Sequence, residues 1–291
     1  MNDEEKRLLE IHCREMSGEE KRGLEMHCRE MRKDCLRMAK AAGSEGFHFG
    51  AALSVIELVA VLYLRVMHIG KELFASEERD RFILSKGHGV PAVYAVLERM
   101  NVLSEEDLLT FKGEHTVLYG HPSRNEELGI EFSSGSLGQG LSFGVGVALA
   151  LKRKGNEDAR VFVLLGDGEC NEGSIWEAAM AAAKYGLENL TVIVDRNHLQ
   201  YDGDTEQVMP VASLEEKWKS FGWECCRIDG HDLGQIDGAL RRKSSGPYVI
   251  IADTVKGKGI SFMENQAEWH HGMMTAEQEK QAWKEVAGDE N

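Results

Sequence analysis

The chain is expected to fold as an α/β protein, with one doubly wound, mostly parallel sheet and helices on both faces. Three observations lead there. From residue 34 onward, short apolar, β-branched runs alternate with stretches of helical composition. The runs are mostly apolar throughout, residues 159–165 being the clearest, which suits strands buried on both sides. Polar glycine turns follow several of them, where open α/β sheets bind their ligands.

At 291 residues, with 42% hydrophobic residues and four prolines, the chain can bury a sizeable core. No stretch is rich enough in Pro, Gly or Ser to mark a linker between two domains. The expectation is a charged helical extension over residues 1–33 and one domain over residues 34–291. A formal charge of −15 argues against nucleic acid or an anionic membrane as partner. A phosphorylated ligand would therefore need local donors. The six cysteines form no paired CxxC pattern and the first residues do not read as a signal peptide, so a cytoplasmic protein with reduced thiols is expected. The longest apolar stretch, residues 51–69, contains Glu57, Arg65 and His68 and reads as a core or interface helix, not a membrane span.

Residues 2–35 are highly charged and carry an echo: Glu10 to Met16 (EIHCREM) returns as Glu25 to Met31 (EMHCREM). The 15-residue spacing is close to four helical turns, so both copies would occupy similar helix faces. A solvated or interface helix is expected there, in preference to a soft-metal site of His12, Cys13, His27 and Cys28. Residues 42–50 then form a glycine-bracketed loop holding His48, and residues 51–67 read as one apolar helix. A short strand over residues 81–85 leads directly to Lys86-Gly87-His88-Gly89. Pro91 suits the first turn of the next helix, and Ser104 with Asp107 has the form of a capping box. Tyr119-Gly120-His121-Pro122 places a third histidine in a loop. Three histidines in glycine or proline loops suggest that at least two share a site.

Residues 133–140 (SSGSLGQG) form a glycine and serine loop before a helix over residues 141–151. Gly144, Gly146 and Ala148 are small enough for that helix to approach a neighbour closely. The loop fits neither the phosphate-loop pattern nor the dinucleotide fingerprint, which counts against a nucleotide triphosphatase or a dinucleotide dehydrogenase. The central unit comes next: a strand over 159–165, Asp167 between Gly166 and Gly168, a helix over 172–185, and a strand over 191–195 ending near Asn197. Asp167 and Asn197 would be oxygen ligands on neighbouring strand ends, beside a glycine turn and a helix N-terminus. Together they could hold a hard cation and a phosphate. Further on come a helix near 213–221 with Ser213 as its cap, a strand over 223–228, a turn at 229–232 with His231, a helix over 236–243 and a last strand over 247–253. A loop then carries Trp269-His270-His271-Gly272, and Thr275 caps a terminal helix.

With these motifs in hand a family resemblance is specific. Gly-Asp-Gly, 28 residues and then Asn197 resembles the thiamine-diphosphate motif, with Arg196 where the first of two asparagines usually stands. RDRFILSKGH, GHP, SSGSLGQG, GDGECNEG and VKGKG with a later HG are similar, in that order, to the thiamine-binding N-terminal domain of transketolase. The likeness covers about residues 34–274 and resembles the N-terminal subunit of a split transketolase. One departure is Phe47, where the family usually has a glycine before the first histidine.

The resemblance implies a thiamine-diphosphate-binding fold and a transferase of two-carbon ketol units between a ketose and an aldose, or their phosphates, in pentose phosphate carbohydrate metabolism. It implies thiamine diphosphate and Mg²⁺, or another divalent cation such as Ca²⁺ or Mn²⁺, held by Asp167, Asn197 and the Leu199 carbonyl. Gly166, Gly168 and His88 would meet the diphosphate, and Gly135 and Leu137 the aminopyrimidine. His48, His121 and His271 would line the substrate channel, His271 being favoured over His270 because Gly272 follows it. Glu172 and Glu177 match acids that lie between two cofactor sites in the family, where buried carboxylates could relay protons, and Glu172 is expected to be catalytic and to meet the cofactor. The implied partner is a C-terminal transketolase subunit carrying the pyrimidine-binding domain, in an α2β2 heterotetramer. Two other readings remain: another thiamine enzyme, such as a deoxyxylulose-phosphate synthase-like one, distinguishable by its substrates, and a non-catalytic cofactor-binding orphan, distinguishable by the lack of any companion chain.

Overall fold

Alternate strand residues point into two separate cores, and this explains why the strand sequences are apolar without alternation. The computed structural model describes residues 16–156 and 158–288. Its strands are Arg81–Leu84 (β1), Val161–Gly166 (β2), Leu190–Arg196 (β3), the two-residue strands Leu199–Gln200 (β4) and Gly203–Asp204 (β5), Glu224–Asp229 (β6) and Tyr248–Asp253 (β7). Five form one sheet in the order β1-β2-β3-β7-β6. Every pairing in it is parallel, with Arg81 opposite Val161, Val161 opposite Leu190 and Thr191 opposite Tyr248. Phe82, Leu84, Phe162, Leu164, Ile193 and Ile250 enter one core. Ile83, Val161, Val163, Leu165, Val192 and Ile251 enter the other. Helices cover both faces, as the doubly wound reading required.

On the first face lie Gly18–Ala42 (α1), Phe49–Leu53 (α2) and Ile56–Val61 (α3), with the helices Val90–Arg99, Leu233–Arg241 and Ala276–Ala287. The helix α1 starts at a capping box: the Glu20 N–H donates to Ser17 Oγ at 3.2 Å and the Ser17 N–H to Glu20 Oε2 at 2.8 Å. It then runs unbroken through residue 33, and Leu24, Cys28 and Met31 lie in the first core. The described part of the expected extension is therefore continuous with the domain, forming a single helix that ends only at Ala42. The echo's second copy lies on α1, while residues 10–15 of the first copy, including His12 and Cys13, lie outside the described residues. Cys28, Cys35, Cys170, Cys225 and Cys226 are free thiols.

The single apolar helix expected over residues 51–67 is a correction. It is divided into α2, α3 and a π-helical turn, Leu62–Val66. The break falls at Ser54, whose hydroxyl donates to the buried Asp195 carboxylate at 2.8 Å, a bond that competes with helix continuation. No described helix is long and apolar enough to cross a membrane.

On the second face, helix Gln139–Arg153 uses its small residues selectively. A Cβ on Gly144 would stand 2.6 Å from Val163 Cγ2, and Ala148 is fully buried. Gly146, expected to act with them, faces outward with nothing within 4 Å. Gly144→Ala should therefore destabilise the protein by about 1–3 kcal/mol through overpacking, and Gly146→Ala should not. Denaturant midpoints measured side by side test this; equal effects would refute the close approach.

Candidate functional site

The carboxyl ends of β1, β2, β3 and β7 converge on a buried ion pair. Lys86 follows β1 and its ammonium donates to Asp195 at the end of β3; the two side chains are 1% and 0% exposed. Asp195 also accepts from Ser54 Oγ, from Asn197 Nδ2 at 2.9 Å and from Thr254 Oγ1 after β7. Burial alone would raise the Asp195 carboxyl, but Lys86 and these donors outweigh it and hold it below the ordinary aspartate value.

Around this pair stand the residues expected to hold a cation and a diphosphate. Asp167, 3% exposed, caps the turn after β2. One carboxylate oxygen accepts from the Gly168 N–H at 2.8 Å and the other from the His198 N–H at 2.8 Å. Burial, with Asp195 nearby, pushes its carboxyl up to about 6, so a cation here would be strongly favoured. The Asn197 amide is oriented at both ends: Nδ2 donates to Asp195, and Oδ1 accepts from the Leu199 N–H at 3.1 Å. The Leu199 carbonyl accepts from the Lys256 ammonium at 2.9 Å, so a cationic group already sits against it. Among the described residues no cluster of three or more His, Cys, Asp or Glu suits a metal. The set here is instead one carboxylate and two carbonyls, hard oxygens that fit Mg²⁺ or a similar ion completed by ligand oxygens and water.

Two orphaned polar atoms fit a bound anion or ring. Gln200 Nε2 is buried without a hydrogen-bond partner, and its side chain lies over Gly168, where a Cβ would come within 2.7 Å of Gln200 Cγ. Ser134 Oγ is likewise unpartnered, 2.6 Å from where a Cβ on Gly87 would be. Gly168 and Gly87 thus lie where the backbone meets a neighbouring side chain too closely for a Cβ, whereas a Cβ on Gly166 would make only ordinary contacts. The Gly168 N–H, expected to face the diphosphate, is engaged with the Asp167 carboxylate. In the adjoining loop Gly135 is open, with nothing near its missing Cβ, and Leu137 is half-buried.

The loop histidines are brought together. His48 lies 4.5 Å from His271, 5.4 Å from His121, 5.7 Å from His88 and 5.8 Å from His270, ring centre to ring centre. His88 and His270 stack at 5.0 Å. Antiparallel bonds between Phe47 and Gly272, N–H to carbonyl at 2.9 and 3.1 Å, strap the His48 loop to the His271 loop. Burial first, then His271, His121 and His270, push His48 down to about 3. Burial and the Lys256 and Lys86 cations take His270 to about 3 and help hold His88 well below its ordinary value. Burial and Lys112 lower His121 and His271 in the same direction. The result is a set of neutral imidazoles that can each donate and accept a hydrogen bond but resist carrying charge.

Glu172 and Glu177 lie on the exposed surface of this chain, Glu172 at the start of helix Gly173–Lys184. The buried acid of that turn is Glu169, which the motif contained but the sequence reading passed over. It accepts from Ser85 Oγ, from the Gly138 N–H at 2.8 Å and from the Gly166 N–H at 3.1 Å, tying three loops together. Lys86, Asp195 and Lys256 were also missed. A charged residue beside an apolar run reads as solvated unless its partner is known, and the partners here are 109 residues apart for Lys86 and Asp195. His270 was set aside in favour of His271, yet both rings join the cluster, and His270 is the one facing Lys256, with Nδ1 3.1 Å from its ammonium. The adjacent pair in the sequence was the only available signal.

Residues 28–290 match the family model described as transketolase, thiamine diphosphate binding domain. An apulose-4-phosphate transketolase subunit from Phocaeicola vulgatus is 43% identical over 243 residues, covering 82% of this chain and 86% of that protein. The 6-deoxy-6-sulfo-D-fructose transketolase subunit SqwG of Clostridium sp. is 40% identical, covering 82% and 88%. Among solved structures, the transketolase of Campylobacter jejuni superposes with a TM-score of 0.81 at 28% identity, over 91% of this chain and 43% of that one. The chain thus spans less than half of that solved transketolase.

The neutral histidines have a consequence for stability. His48 and His270 titrate near 3 when folded but near 6.5 when unfolded. Between those values the unfolded chain binds more protons, so stability is retained above about 6.5 and falls as the pH drops toward 3. Melting temperatures measured from pH 7.5 to 4.5 should decline less steeply for His48→Asn than for the parent. Identical slopes would show that His48 is not held neutral by burial.

Proposed function

This chain belongs to the transketolase family, and on that premise we propose that it is the diphosphate-binding subunit of a thiamine-diphosphate-dependent transketolase. The observation that carries this is the placement of Asp167 and Asn197 just past the ends of β2 and β3, with the Leu199 carbonyl joined through Lys256 to His270 of a cluster of five neutral histidines. Thiamine diphosphate would supply the centre that stabilises the two-carbon carbanion equivalent released from a ketose and passed to an aldose. Asp167, Asn197 Oδ1 and the Leu199 carbonyl would hold a divalent cation, Mg²⁺ by its preference for hard oxygens. Gln200 and Ser134 have the unpartnered polar atoms to meet the cofactor. His48, His121, His270 and His271 would bind sugar hydroxyls and shuttle protons between them. As neutral rings they can accept a proton at one nitrogen while donating from the other, which general acid–base work at a hydroxyl requires.

The relatives' names, each that of a transketolase subunit, support a partner chain; that chain would carry the pyrimidine-binding domain, in an assembly of two chains of each kind. The exposed Glu172 and Glu177 are consistent with a surface that becomes covered on assembly. The relatives act, by name, on apulose 4-phosphate and on a sulfonated fructose, which supports an anionic ketose as donor. Hydroxyls would be read by the histidines of this chain.

Two measurements test the proposal. Ketol transfer should require both chains; full activity of this chain alone would overturn the two-subunit reading. In the assembled enzyme, Asp167→Asn should weaken Mg²⁺-dependent thiamine-diphosphate binding by more than about tenfold in calorimetry. His121→Ala should instead lower the transfer rate by about 10²-fold with cofactor affinity kept. Unchanged affinity in the first variant, or parallel losses in the second, would remove those assignments.

A further inference from the structure

His231, in the turn after β6, is not one of the clustered rings, but its two nitrogens are both committed. We infer that His231 is a positioning residue for the cofactor site: with its tautomer fixed by Glu57, it holds the backbone from which Lys256 reaches the Leu199 carbonyl.

His231 Nε2 accepts from the Val255 N–H at 2.9 Å, so that nitrogen carries no proton. The ring proton is then on Nδ1, which donates to Glu57 Oε2 at 3.0 Å. Glu57 on α3 is buried, and its other oxygen accepts from Arg32 of α1 at 2.5 Å. Arg32 in turn donates from Nε to the Lys258 carbonyl at 3.1 Å. One network therefore grips the segment on both sides of Lys256, at the Val255 N–H and at the Lys258 carbonyl. The Lys256 stem is confined as well: a Cβ on Gly50 would lie 2.8 Å from its Cγ and Cε. The Lys256 side chain thus leaves the backbone in one direction, toward Leu199 and His270. A His at 231 serves because a neutral imidazole accepts on one side and donates on the other. The Asp229 carboxylate fixes the turn by accepting from the His231 N–H at 2.9 Å.

The inference rests on reading the Lys256 end as the cofactor site, and two measurements keep the two ideas separable. Nitrogen-resolved NMR of the full chain should find His231 protonated on Nδ1 and bare on Nε2. A proton on Nε2 overturns the inference, whether or not any variant folds. For the second measurement, His231→Gln can still present an acceptor to the Val255 N–H, whereas His231→Asn reaches only toward Glu57. In the assembled enzyme, calorimetry with Mg²⁺ and thiamine diphosphate should show the Asn variant weakened about tenfold and the Gln variant close to the parent. Similar melting temperatures for the two variants would exclude a merely structural cause for that difference. Parent protein that binds cofactor while the Asn variant binds equally well overturns the inference alone. Parent protein that binds none overturns the cofactor reading and this inference with it.

Discussion

The Lys86–Asp195 ion pair is the interaction on which the rest of the site depends. Both charges are removed from water, at a cost that only good geometry and further hydrogen bonds can offset. Here the offset comes from Ser54, Asn197 and Thr254, each from a different segment of chain. Removing one partner would leave an uncompensated buried charge, a loss of about 3–5 kcal/mol. The same bonds set the site's dimensions. His88 lies two residues beyond Lys86, and Asn197 two residues beyond Asp195, so both expected ligands hang from the pair. Ser54 brings in the loop that carries His48, and Thr254 the segment that carries Lys256.

The neutral histidines follow first from burial and then from nearby cations. Lys86, Lys112 and Lys256 each disfavour protonation of a nearby ring, in addition to burial. A cluster of imidazoles that stay uncharged can donate and accept hydrogen bonds. It also leaves positive charge to the lysines, whose positions are fixed by carboxylates and carbonyls rather than by the ligand. Neutral hydrogen-bonding groups and positive charge are thus divided between two residue types.

Much of this was legible in the sequence, and the limits have physical causes. The strands β1, β2, β3 and β7 were readable because burial on both faces leaves an apolar run bounded by glycine or charge, whereas the edge strand β6 is only partly buried. Asp167, Asn197 and His88 were readable because each stands just past the end of such a run, and His48, His121 and His271 because each stands close to a glycine or proline in a loop. The helix break at Ser54 was hidden: nothing local announces that its hydroxyl is needed by a carboxylate 141 residues away. The hairpin of β4 and β5 was too short for any period to show. Glu172 stood out by motif and Glu169 did not, although Glu169 is the acid that binds three loops together. Spacing along the chain carries information about elements, whereas a buried charge is specified by a partner that sequence distance does not reveal.

Phe47, expected from the sequence to depart from the family pattern, is accommodated by the core. It puts a large ring directly before His48. The ring turns into the first core, 1% exposed, against Phe49 and Phe111. Its backbone pairs with Gly272, and these bonds need no particular side chain. The demanding position is next door. Gly46 has φ +67°, and a Cβ there would stand 2.6 Å from His271 Cε1. The loop therefore tolerates bulk at 47, where the side chain points inward, and requires glycine at 46, where the backbone meets a histidine. The Phe47 ring thus adds buried apolar surface to the core, while the His48 ring next to it in sequence joins the histidine cluster.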